Sequence, residues 1–294
     1  MDKKQLTGHL IALVTIVIWG ITFISTKILL VDFSPVEILF IRFIMGFIGL
    51  CFIYPHRLKI KNRKEELLFI GAGLTGICLY YLLENFALTM TSASNAGVIV
   101  SVAPFFTAIL SYFFLKEEKL KKSFFIGFLV SMIGIIMMSY EGSQLELNPM
   151  GDFLAFLSAV VWAIYSLITK KISQLGYPTI LTTRRAFVYG ILFMIPFVMM
   201  TDFNVSLSQI FQMKYIFHFL FLGFGASALC FVTWNYAIKV LGAVQSSVYI
   251  YLVSVITVIV SVIFLNEPIN WIIGIGTLLT VVGLVISEYQ KNDN

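Results

Sequence analysis

The chain has 294 residues, 59% of them hydrophobic and 12% charged, with a mean hydropathy of +0.95. A soluble domain is about half apolar and a quarter charged, so a water-soluble globule is excluded. Most of the surface must face lipid, and the expected fold is an all-α polytopic membrane protein with ten spans, which at roughly 20 to 24 residues each leaves no room for a soluble catalytic domain.

The formal charge of +5 comes from Lys and Arg scattered in small clusters between apolar runs, not from a stripe, so nucleic acid is not an expected partner. Cys51, Cys78 and Cys230 lie inside apolar segments at spacings that fit neither a metal site nor a disulfide framework, and His9, His56 and His218 are equally dispersed. No glycine-rich loop followed by Lys and Ser or Thr offers a phosphate cradle, so neither a cofactor nor direct use of ATP is expected.

In chain order the apolar runs fall at about residues 7–30, 34–55, 67–90, 93–115, 122–140, 148–171, 177–199, 214–238, 240–265 and 270–287. The first follows Asp2, Lys3 and Lys4 but is longer than a signal-peptide core and lacks an obvious small-residue cleavage site, so it is expected to be retained. The runs are unbroken, without the alternation of barrel strands. Lys3, Lys4, the 57–64 and 116–122 clusters, Lys170, Lys171, Lys239 and Lys291 fall on one side, whereas the other holds only Lys27 and Lys214. By the positive-inside rule, the expected location is the cytoplasmic membrane with both termini cytoplasmic.

Laid over itself with an offset of 143, the chain aligns Gly8 with Gly151, Trp19 with Trp162, Pro35 with Pro178 and Arg42 with Arg185. After a drift of seven residues, Asn85 meets Asn235, Leu115 meets Leu265 and Glu117 meets Glu267, and Gly127 and Gly134 then meet Gly276 and Gly283. Two five-helix units, 1–144 and 145–294, are therefore expected. Because five is odd, the second enters the membrane from the opposite side, giving an inverted repeat with a site near the midplane.

Ser34-Pro35 with Arg42, Ser92-Ala93-Ser94 through Pro104 to Leu115-Lys116-Glu117, and the echo Gly242-Ala243 through Leu265-Asn266-Glu267 carry a resemblance. The chain resembles a ten-helix member of the drug/metabolite transporter superfamily with two EamA-like repeats, over nearly its whole length. The resemblance implies transport of a metabolite, since relatives export amino acids, nucleobases, sugar derivatives and other small molecules. One departure is Ser254, where the family often repeats the proline seen at Pro104, so the resemblance does not carry a kink to the ninth span.

Several polar residues are candidates for the pathway. Thr15, Trp19, Thr22 and Thr26 share one face of the first helix, and Ser158, Trp162, Tyr165 and Thr169 share one face of the sixth. Both tryptophans fall about 18 to 20 Å from their helix starts, near the centre of a slab of about 30 Å, where an indole can stack on a substrate and donate one hydrogen bond. The same stripes also suit helix packing. Arg42 and Glu84 share a depth of about 10 Å and are expected to pair, with gating or protonation of Glu84, and hence proton coupling, as the functional alternative to a static pair. Arg184 and Arg185 find no acid in the second half and could attract an anion or snorkel. Asn85, Asn235, Tyr236, Ser94, Asn95, Gln245, Tyr249 and Tyr251 add donors that could line the pathway or bond between helices, while Glu117, Glu267 and Pro268 suit helix capping.

The expected activity is secondary transport, with export as the direction, of a small polar or amphipathic organic metabolite by alternating access, with substrate and lipid bilayer as partners. The sequence specifies no oligomeric state. The rivals are a channel-like facilitator and a membrane-embedded enzyme on a lipid-linked substrate, the second of which should show clustered acids or metal ligands. The topology is testable by cysteine labelling in a background lacking the three native cysteines. Gln144→Cys should react with an impermeant reagent from outside the cell and Ile60→Cys should not; the reverse pattern contradicts the orientation.

Overall fold

The computed structural model describes residues 3–91, 93–115, 122–139, 148–201, 203, 205–265 and 271–288. Ten helical spans run through them: α1 (Lys3–Leu29), α2 (Pro35–Ile53), α3 (Arg63–Met90), α4 in two parts (Ala93–Val100 and Ala103–Phe114) and α5 (Lys122–Ser139), followed by α6 (Pro149–Gln174), α7 (Thr179–Met200), α8 (Met213–Leu241), α9 in two parts (Ala243–Val248 and Tyr251–Leu265) and α10 (Trp271–Glu288). The all-α polytopic expectation holds, with span ends within a few residues of those expected. The candidates Glu117, Glu267 and Pro268 and the 141–147 segment lie outside the described residues, as do the side chains of Ser94 and Asn95.

Local chemistry explains the helix ends. At α2, the Ser34 side chain accepts from Glu37 N while Ser34 N donates to Glu37 Oε2 at 2.7 Å, a reciprocal cap with Pro35 in the first turn. At α6, Asn148 Oδ1 accepts from Gly151 N at 3.0 Å. Gly242, at φ +95, provides the left-handed turn between α8 and α9 that a residue with a Cβ resists.

The halves interleave reciprocally. α1 packs on α8 and α9, and α6 packs on α3 and α4; α2 meets α7, and α5 meets α10. The last pair relies on glycine: a Cβ at Gly134 would stand 2.5 Å from the Gly276 carbonyl oxygen, and one at Gly283 2.6 Å from that of Gly127. Ser131 Oγ donates to Thr280 O across the same seam, the close approach and polar adhesion favoured where water gives no hydrophobic drive between helices.

Two features depart from the sequence reading. α3 and α8 each contain a π-helical stretch, Gly73–Leu79 and Phe221–Leu229, and an offset of 150 carries the first into the second. π segments loosen the ladder locally and re-aim the following side chains, here Tyr80 to Asn85 and Cys230 to Asn235. α9 breaks at Tyr249 and Ile250 although no proline stands there, matching the break of α4 at Ser101 and Val102. The expectation carried by Ser254 is thus corrected. Its hydroxyl donates to Gly97 O at 3.1 Å and lies 2.7 Å from Ser101 Oγ, so the serine that replaces proline ties α9 to the interrupted part of α4.

Leucine at position 134 should therefore separate α5 from α10, at a cost of about 1 to 3 kcal/mol seen as a lower melting temperature. Gly274→Leu, where a Cβ meets nothing within 4 Å, is the control and should melt normally.

Candidate functional site

The π segments and the two broken helices converge on an aromatic cluster at the centre. Trp19 of α1 and Trp162 of α6 meet edge to face with ring centroids 5.2 Å apart, and Trp234 of α8 lies 5.1 Å from Trp19. Tyr80 stands 4.7 Å from Trp162, and Phe231 lies within 6.1 Å of both Trp19 and Trp162. The repeat-related tryptophans thus come together at the axis. Beside them is a cavity of ≈ 30 Å³ walled by Trp19, Thr22, Tyr80, Tyr81, Glu84 and Trp162, with Val100, Ile250 and Val253 from the breaks of α4 and α9. That holds one or two waters, whereas sites for organic ligands measure roughly 300 to 1,000 Å³. The arrangement is closed.

Its hydrogen-bond accounting is incomplete. Trp19 Nε1 donates to Ala226 O at 3.0 Å, but Trp162 Nε1, Trp234 Nε1 and Arg42 Nη2 are buried donors without a partner among the described residues. Backbone and side-chain donors in such surroundings normally find partners, and each orphan costs about 1 to 3 kcal/mol.

Arg42 and Glu84 are both buried, at 1% and 6% exposure, yet they do not form the contact ion pair expected from their depths. Arg42 Nε donates to Ser227 Oγ at 2.9 Å, and its guanidinium lies 4.5 Å from the Tyr81 ring centroid. The ring face and hydroxyl take the place of the carboxylate, while Glu84 faces the cavity. Depth along a helix fixes height but not azimuth, so matched depths did not guarantee contact.

The remaining candidates divide. Tyr165 donates to Asn235 Oδ1 at 2.7 Å and Asn235 Nδ2 donates to Thr183 Oγ1 at 2.9 Å, both residues lining a second cavity of ≈ 20 Å³ towards Lys239 and Tyr177. Asn85, the repeat equivalent of Asn235, donates to Pro35 O at 3.2 Å, tying α3 to the start of α2. Tyr249 is 2.6 Å from His9 Nδ1. Thr15 bonds to Ile11 O and across to Thr233 on α8, and the buried Ser158 bonds back to Ala155 O within α6; neither lines the central cavity. Tyr251 is fully buried. Arg185 is not unpaired: its Nε donates to Glu66 Oε1 at 2.7 Å, and Arg184 donates to the carbonyls of Tyr54 and His56. The acid that completes Arg185 comes from the first half of the chain, which a search of its own half misses. Tyr80, Tyr81, Trp234 and Ser227 were also missed, although Tyr80 and Tyr81 precede Glu84 at spacings of four and three, the signal of a shared helix face.

At the end of α1 opposite His9, Lys27 Nζ donates to the carbonyls of Leu88 and Thr91, closing the C-terminus of α3. Nearby, Asp32 Oδ2 accepts from Tyr215 Oη at 2.7 Å and from Lys214 Nζ at 2.9 Å.

A helical bundle of ten spans among the described residues defines a polytopic membrane protein. The sequence profile of the EamA-like transporter family matches residues 6–140 and again 149–289, so the chain belongs to the EamA-like transporter family. Similar proteins include an uncharacterized transporter of Archaeoglobus fulgidus, 28% identical over 97% of this chain and 98% of its own, and the uncharacterized transporter YyaM of Bacillus subtilis, 29% identical over 97% and 94%. A solved crystal structure 19% identical in sequence covers 95% of each chain at a TM-score of 0.76, which shows the fold.

The Tyr215 hydroxyl first, and the Lys214 ammonium second, hold the Asp32 carboxyl below its ordinary value of 3.8. A depressed acid stabilises the fold above that value, and the contribution fades as pH falls below 3.8 through the lowered folded-state value. Asp32→Asn should flatten the acid-side loss of melting temperature; an unchanged acid limb contradicts the clasp.

Proposed function

We propose that this EamA-family transporter moves a small polar or amphipathic organic metabolite, with hydrogen-bond acceptors and an aromatic or planar part, through the tryptophan cluster by alternating access. One observation carries the reading: three buried donors stand unsatisfied among the described residues, Trp162 in the wall of an aromatic cavity that also holds Glu84, and Trp234 and Arg42 packed behind its wall residues Trp19 and Tyr81. Unsatisfied donors in a dry, aromatic surround suit acceptors on a ligand that displaces the closed packing. In this reading His9 with Tyr249 and Tyr165 with Asn235 close one end of the pathway, and Lys27 with α3 and Asp32 with Lys214 close the other. A closed centre between repeat-related halves is what a rocking mechanism passes through, and it favours a carrier over a continuously open facilitator.

The direction is outward, as the family resemblance implies, and the basic face with both termini is cytoplasmic, which the Lys and Arg distribution supports. The chain acts as a carrier rather than an enzyme, in keeping with the transporter names of its relatives. Glu84 can take up a proton on opening, coupling transport to the proton gradient with Arg42 as the neighbouring cation.

Comparing metabolite uptake and release in vesicles with and without the protein identifies the substrate. With that substrate, Trp162→Ala and Trp19→Ala should each weaken binding by about 1 to 3 kcal/mol, and Phe at either position should retain more function by keeping the aromatic face. Affinity and melting temperature measured on the same purified proteins decide the matter. Normal affinity with a lower melting temperature in both alanine variants would assign the tryptophans to packing alone.

A further inference from the structure

We propose that a groove between the C-terminal end of α2 and the first half of α7 binds an anionic phospholipid by its headgroup. The groove measures ≈ 600 Å³ and shares no lining residue with the central cavity. Arg57, Arg184 and Arg185 form its rim, while Phe47, Leu181 and Val188 are among its apolar walls.

The guanidinium groups are only partly committed. Arg184 is fixed by the carbonyls of Tyr54 and His56, which end α2, so its charge is held in place without being neutralised. Arg185 gives its Nε to Glu66, and Tyr189 lies against the same guanidinium, 5.6 Å from ring centroid to Cζ, so one carboxylate is its only anionic neighbour among the described residues' ion pairs. Arg57 is exposed and makes no hydrogen bond among the described residues. Three guanidinium groups therefore face one carboxylate, a surplus of positive charge suited to bidentate phosphate contacts.

The apolar wall decides between a lipid and a free anion. Ile48, Phe52 and Ile53 on α2 are 44%, 83% and 71% exposed beside the groove, as a lipid-facing helix end should be. Arg184 and Arg185 lie five and six residues into α7, about 8 to 9 Å from its start, with Leu181 nearer the start and Val188 deeper, a depth from which long guanidinium side chains reach a headgroup while the apolar residues line the acyl chain. Inorganic phosphate would satisfy the arginines and leave the wall uncovered. A phospholipid covers both, and choline or ethanolamine would bring a cation against the three arginines, so the headgroup is anionic. Because α2 and α7 belong to different halves and pack on each other, a lipid here would favour the closed arrangement.

The test uses the full-length protein in nanodiscs of equal phosphatidylcholine and phosphatidylglycerol with identical acyl chains, with retained lipid counted by native mass spectrometry after transfer to detergent. Phosphatidylglycerol should be retained in excess, and Arg57→Glu should lower that excess at least about fivefold, the worth of one basic residue at an anionic surface. Arg57→Lys should keep most of it. Val188→Trp, which narrows the wall without touching charge, should lower retention of phosphatidylglycerol as well. Equal retention of the two lipids by the unmodified protein, or an unchanged excess in Arg57→Glu, overturns the proposal. So does displacement of phosphatidylglycerol by millimolar inorganic phosphate as readily as by a soluble short-chain phosphatidylglycerol, which would make the site one for a free anion.

Discussion

Hydrocarbon offers no hydrogen bonds, so every polar group carried into the bilayer must find its partner inside the protein. Most of this molecule obeys that constraint visibly. Ser and Thr hydroxyls bond back to carbonyls one turn away, Asn85 and Asn235 tie the third helix of each half to the second, and Arg184 reaches the carbonyls that end α2. Among the described residues the constraint is broken at Arg42 on α2, Trp162 on α6 and Trp234 on α8, and at Ser246 and Tyr251 on α9. Three of these five, on helices from both halves, lie in or against the aromatic cluster, the pattern that the proposed ligand site accounts for.

The helix irregularities serve that centre. The π segments of α3 and α8 immediately precede the turns carrying Tyr80, Tyr81 and Glu84 on one side and Phe231 and Trp234 on the other. The breaks in α4 and α9 place Val100 and Ile250 in the cavity wall. Irregular backbone at membrane depth is tolerated only where it is buried in protein or lines a cavity, and the breaks of α4 and α9 meet that condition. α5 and α10 form a tight glycine-paired unit, joined to α4 and α9 by a small core around Ala108, Phe124, Tyr251 and Leu284.

Much of this was legible in the sequence. Hydropathy set the ten spans, and the repeat paired Trp19 with Trp162 and matched Gly127 and Gly134 with Gly276 and Gly283. What escaped has a common cause: azimuth and long-range partnership. Arg42 and Glu84 matched in height, but rotation about the helices sends Arg42 to Ser227 and Tyr81. Arg185 seemed to lack an acid because Glu66 lies over a hundred residues earlier in the chain. π segments leave no mark in hydropathy, and the break of α9 arises without the proline that would have signalled it. The stripes on α1 and α6 are also mixed, since Trp19, Thr22 and Trp162 reach the cavity while Thr15 bonds across to Thr233 and Ser158 bonds back within α6.

The central claim is that substrate enters the tryptophan cluster. The chain has four tryptophans, and three of them form the cluster while Trp271 is 73% exposed at the start of α10. In Trp271→Phe, intrinsic emission therefore reports on the centre alone. Titrating that protein with each metabolite that it carries across a vesicle membrane should shift or quench the emission with saturation near the transport half-point. Saturable transport with the emission unchanged would contradict the account.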